Sequence, residues 1–125
     1  MSTNVTTIGN LAGVPELKFS KDGNAWTRAR VLVTDSEKDR ETGEWRDTAT
    51  TGYDVVVFGA TAEALVEAAA ENGNIRVRFS GPQKIKDVQA RNGGSTRVYD
   101  VRADWICPDF GQNLAIRKPQ RAAQG

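Results

Sequence analysis

The chain has no histidine and a single cysteine, Cys107, among its 125 residues. These absences exclude an internal disulfide, histidine-based catalytic triads and the usual zinc ligand sets. Apolar runs are short as well: none reaches the roughly 18 residues of a membrane helix, and no basic-then-apolar leader is apparent, so a cytoplasmic location is expected. Aromatic residues are sparse, at 7%, whereas apolar residues as a whole reach 38%, enough for one small core and one domain. Cys107, within Trp105-Ile106-Cys107-Pro108, reads as a small buried hydrophobe. With no phosphate-binding loop and no nucleophile beside a base, neither an enzyme nor a cofactor is expected.

What the chain does have is charge, segregated along its length behind a net value of +1. Residues 74–102 carry seven cations (Arg76, Arg78, Lys84, Lys86, Arg91, Arg97 and Arg102) against Asp87 and Asp100, so this region can meet a polyanion. Residues 35–47 are the reverse, with six acids against three basic residues, and should repel phosphate.

The periodicity is mostly that of strands. Residues 6–8 are β-prone and run into Gly9, where a bulge or a close backbone contact is expected; Pro15 marks a crossover. Leu17 and Phe19 then alternate with Glu16 and Lys18, which predicts both apolar residues in the core before a turn at Asp22-Gly23. Ala25, Thr27, Ala29, Val31 and Val33 form an interior face, leaving Trp26, Arg28 and Arg30 outside. Residues 35–48 read as a long hairpin or loop with a mobile tip at Thr42-Gly43. Residues 50–58 form a strand, after which Thr61 is placed to cap a helix buried through Ala62, Leu65, Val66 and Ala69 and stopped by Gly73. Glu63, Glu67 and Glu71 form its solvated stripe. Ile75, Val77 and Phe79 begin another strand, a hairpin turns at residues 92–94, and a last strand spans 96–107. Five strands with one helix between the third and fourth describe an all-β, Greek-key oligonucleotide/oligosaccharide-binding (OB) barrel over residues 1–110. Residues 111–125 read as a short, basic tail, flexible or loosely docked, carrying Arg117, Lys118 and Arg121.

Gly9-Asn10-Leu11, Pro15-Glu16-Leu17-Lys18-Phe19 and Gly23 also stand in an order that resembles the opening of bacterial and phage single-stranded DNA-binding proteins. The similarity continues through Thr42-Gly43-Glu44-Trp45, Phe58-Gly59, Gly81 and Val101 to Pro108. It implies non-catalytic binding and protection of single-stranded DNA in replication, recombination and repair. It also implies a homo-oligomer, a tetramer before a dimer, in the bacterial nucleoid or, for a phage protein, the host cytoplasm. Of the four aromatic positions the family uses for stacking, Phe58 survives; the others fall at Gly52, Val88 and about Glu37. The family's acidic C-terminal tip has no counterpart in Arg121-Ala122-Ala123-Gln124-Gly125, so recruitment of other proteins through such a tip is not expected.

Binding a single strand without sequence preference needs cations for phosphates and flat faces for bases. The expected rows are Trp26, Arg28 and Arg30; Arg76 and Arg78; and Lys84 and Lys86, none with an acid among its outward positions, joined by Trp45, Phe58, Arg91 and Arg97. Trp26 and Tyr99 suit a subunit interface equally, Trp45 suits a residue pinning the loop to the barrel, Tyr53 points away from the face of Gly52 and Phe58, and Trp105 reads as packing at the barrel end. The alternative function is an OB-type assembly module that oligomerises with itself or a relative and binds nucleic acid weakly or not at all.

Overall fold

The structure, a computed structural model, describes residues 3–89 and 91–115. Its elements in chain order are β1 (Thr3–Leu11), β2 (Leu17–Phe19), β3 (Ala25–Lys38), β4 (Trp45–Phe58), α1 (Gly59–Asn72), β5 (Arg76–Gln89), β6 (Ser95–Arg102) and β7 (Trp105–Pro108). Antiparallel pairing links β1 to β3, β3 to β4, β6 to β5 and β5 back to β1, and a parallel pairing of β4 with β6 completes the ring. The result is a closed five-stranded barrel. β2 lies outside the ring, on β3, so α1 falls between the third and fourth barrel strands as expected.

Alternation fills the barrel. Ala29 and Val31 of β3, Val55 and Val57 of β4, Val77 and Phe79 of β5 and Val101 of β6 point inward and are almost wholly buried. α1 closes one end through Ala62, Leu65 and Ala69. Its first turn has no side-chain cap: Phe58 takes the N-cap position in extended conformation, and Thr61 lies inside the helix instead of capping it. At the other end the Gly73 amide donates to the Ala69 carbonyl, at 2.7 Å.

β1 has no bulge at Gly9, which stays in register opposite Val77. The close contact is the feature present. A Cβ at Gly9 would lie 2.6 Å from the Leu32 carbonyl oxygen and 2.8 Å from a Val31 methyl. The glycine therefore lets β1 cross β3 where it passes from one neighbour to the other: Asn10 pairs with both Leu32 and Arg76. Beyond the crossing, the Ala12 amide donates to the Arg30 carbonyl, at 2.9 Å.

Several expectations need correction. Phe19 is 62% exposed, not core: β2 is three residues long, lies outside the ring with β3 as its one partner strand among the described residues, and ends at Phe19. Leu17 and Pro15 supply the inward contacts instead, and the buried Thr27 hydroxyl donates to the Glu16 carbonyl at 2.7 Å, fastening this segment to β3. The strand expected over 96–107 is two strands along one edge of β5, with an offset between Gln83 opposite Val101 and Ser80 opposite Trp105. At that offset a Cβ on Gly81 would overlap the Arg102 carbonyl. After it, Trp105 and Cys107 share the outer face with Arg78, and both are exposed; Trp105 is not a packing residue and Cys107 is not buried.

The hairpin of β3 and β4 extends to Lys38 opposite Trp45, and its tip is closed by Asp39, whose carboxylate accepts from the Glu41 amide at 2.9 Å. Residues 109–115 lie against the barrel through side chains that imitate a strand. The Gln112 amide group donates to the Arg76 carbonyl (2.6 Å) and accepts from the Arg76 amide (2.8 Å), and Asn72 treats Ala115 in the same way. The first part of the expected tail is therefore docked; Arg117, Lys118 and Arg121 lie outside the described residues. Among the described residues no helix is long and apolar enough to cross a membrane.

Gly9→Ala places a methyl against backbone, so it is expected to lower stability by about 1–3 kcal/mol. Urea unfolding of the two proteins checks this, and an unchanged midpoint would contradict the crossing.

Candidate nucleic-acid interface

The outward positions of β3 and β4 are locked together by register: Trp26 stands opposite Phe58, Arg28 opposite Val56 and Arg30 opposite Asp54. β2 adds Lys18 opposite Trp26, and β6 adds Arg102 beside Val56 and Asp100 beside Asp54. The result is a compact surface at the α1 end of the barrel. Trp26 and Phe58 are neighbouring aromatic side chains, Phe58 being 48% exposed. The Lys18 ammonium lies 5.2 Å from the Trp26 ring centre and the Arg102 guanidinium 4.9 Å from that of Phe58. Such cation–π contacts hold each cation over a ring face. Arg28 is exposed and has no ion-pair partner among the described residues.

Lys18 and Arg102 were not expected in this site. Each follows an inward residue, Leu17 or Val101, but only cross-strand register shows that they flank the two rings. The remaining expected residues are dispersed. Arg76 and Arg78 lie on the β1 and β7 side of the barrel, Arg78 opposite Ile8 and Cys107, and do not join the Trp26–Phe58 surface. Lys84 and Lys86 lie on the outer half of β5, opposite Asp100 and Val98, and Arg91 is exposed in the turn that follows. Arg97 is two residues from Tyr99, on the opposite face of this arm from Lys84 and Lys86. Trp45 is 69% exposed, pins nothing to the barrel, and is about 43 Å along β4 from Phe58 at about 3.3 Å per residue.

The expectation that the basic rows face no acid also fails, because acids arrive from neighbouring strands. Arg30 Nη1 is 3.2 Å from Asp54 Oδ1, Lys86 Nζ is 3.0 Å from Asp100 Oδ2, and Arg97 Nε is 3.4 Å from Asp87 Oδ1. Asp109 accepts from Arg76 Nε at 2.6 Å and stands 3.9 Å from Arg78. These cations are partly neutralised, whereas Lys18, Arg28 and Arg102 have no carboxylate partner among the described residues. Tyr53 turns inward as expected, packing edge-on against Phe79 and tilted against Tyr99, both at 5.7 Å. Burial, then Tyr99 and Asp35, push its hydroxyl above the ordinary value. Among the described residues no cluster of three or more metal-ligating side chains is present.

The sequence profile of the single-strand binding protein family matches residues 2–108. The chain belongs to that family. Within the single-strand binding family it is 31% identical over 123 residues to the single-stranded DNA-binding protein of Corynebacterium glutamicum, covering 98% of this chain and 53% of that one. To the single-stranded DNA-binding protein of Mycobacterium tuberculosis it is 33% identical over 122 residues, covering 98% and 72%. The chain thus spans about half the length of the first relative and nearly three quarters of the second. The crystal structure of the small single-stranded DNA-binding protein from Streptomyces coelicolor superposes with a TM-score of 0.75 at 25% identity, covering 88% of this chain and 96% of that one.

The Arg76 side chain, then the Gly111 amide, holds the Asp109 carboxyl below its ordinary value of 3.8. A depressed carboxylate stabilises the fold above its unfolded value and ceases to do so as pH falls through the folded one. Asp109→Asn should therefore melt below the native protein at pH 7, and the two melting temperatures should converge as pH falls below 3.8. Thermal melts from pH 7 to pH 2 check this.

Proposed function

We propose that the chain binds and protects single-stranded DNA without catalysis, through the surface centred on Trp26 and Phe58. The observation that carries this is the pairing of two accessible rings in cross-strand register with Lys18 and Arg102 against their faces and Arg28 free beside them. Rings give bases a stacking surface whatever their sequence, and free cations one step away meet the phosphates that join them. Residues 1–110 act as the binding domain. Lys84, Lys86 and Arg91 extend the path along the β5 arm; Arg76, Arg78, Arg97 and Trp45 lie off it and serve only a strand that wraps further round the barrel.

Family membership and relatives named for single-stranded DNA binding support this reading over the assembly module. The same kinship supports a self-associating protein, a tetramer before a dimer, acting in replication, recombination and repair in the cytoplasm.

Titration with oligo-dT should quench tryptophan fluorescence at low salt, and the logarithm of the affinity should fall linearly with log salt. Phe58→Ala should cost about 1–3 kcal/mol, the range for one stacked base. Arg28→Gln should instead flatten the salt slope by about 0.7, the value for one phosphate of a single strand. Absence of both quenching and a gel shift at low salt would sink the proposal. Magnesium-supplemented incubation with labelled oligo-dT should leave it intact.

A further inference from the structure

Six residues before Phe58, on the same outer face of β4, Gly52 leaves a gap in the row of side chains, and the gap is filled from the neighbouring strand. A Cβ at Gly52 would overlap Arg30 Nη2 and lie 2.7 Å from its Cζ and 3.0 Å from its Nε. Three atoms of one planar group at such short range mean that the guanidinium lies against the backbone at Gly52. Arg30 is in register with Asp54, and Gly52 with Leu32, so the side chain leans diagonally across the ladder to reach this position. Nη1 meanwhile donates to Asp54 Oδ1 at 3.2 Å, fixing the group in its plane.

The electrostatics there disfavour a phosphate. The charge of Arg30 is offset by Asp54, and Asp100 stands beside Asp54 in cross-strand register, its other neighbour being Lys86. A phosphate over Arg30 would approach two carboxylates. The Arg30 side chain is nevertheless 55% exposed, because one face of its plane rests on Gly52 and the other is open. A delocalised plane with one in-plane donor engaged by Asp54 and one face free is suited to stacking under a nucleobase.

We propose that Arg30, laid over Gly52, is a third base-stacking plane beside Trp26 and Phe58. Phosphates are then left to Lys18, Arg28 and Arg102. This rests on the single-strand reading above and assigns the work within it: rings and one guanidinium for bases, unpaired cations for the backbone. It also gives Gly52 a function, since any side chain there would displace the plane.

The test compares binding of the protein to two probes, oligo-dT and a base-free phosphodiester oligomer of equal length, at one low salt concentration. Arg30→Lys keeps the charge and loses the plane; it should weaken oligo-dT binding by about fivefold or more, the lower end for one stacked base, and leave the base-free oligomer within twofold. Gly52→Ala keeps the arginine but lifts it, and should show the same selective loss; it folds, because the group displaced is the end of a flexible side chain. Arg28→Gln is the contrast and should weaken both probes equally. If Arg30→Lys or Gly52→Ala weakens the two probes together, or leaves oligo-dT unaffected, the inference is overturned. If the native protein binds neither probe, the single-strand reading fails first.

Discussion

The unbroken pairing of β3 with β4 from Trp26–Phe58 to Asp35–Ala49 ties two alternations into one surface, and the site has no existence apart from it. Each strand separately offers only polar or aromatic residues at every second position. Shifting one against the other by a residue would send Val55 and Val57 outward and bury Asp54 and Val56 in their place. Burial of the valines thus enforces the register that sets Trp26 beside Phe58. The core decides the surface.

The barrel was legible because its signals are local: Gly9, Pro15, the alternation after Ala25, and the helix between Gly59 and Gly73 each constrain a few residues. The errors came where the answer depended on a distant partner. Phe19 obeys the alternation of its strand, but β2 is a short flap on β3 outside the ring, and its last residue is left exposed. Trp105 and Cys107 depart from the alternation of one continuous strand because the offset at Arg102–Asp104 depends on Gly81 of the neighbouring strand.

The candidate site was legible in part, for the same reason. Trp26, Arg28 and Phe58 were found from spacing and resemblance, yet Lys18 and Arg102 belong to strands that meet these residues only in the closed barrel. Counting cations along the chain overstated the positive surface, since Asp54, Asp100 and Asp109 approach from other strands. A free cation and an ion-paired one have the same letter in the sequence, and only the former keeps its full attraction for phosphate.

The bond from the Ala12 amide to the Arg30 carbonyl, just past the Gly9 crossing, bears on the cost of ordering. It holds the backbone of Arg30 at the point where β1 joins the ring, while Asp54 and Gly52 hold the other end of the same residue. A long side chain free in solvent surrenders up to about 2 kcal/mol of rotamer freedom when it is fixed. Here much of that loss is incurred when the barrel closes, before any partner arrives. Barrel closure thereby restrains one of the most flexible side-chain types at both its ends while leaving its guanidinium exposed.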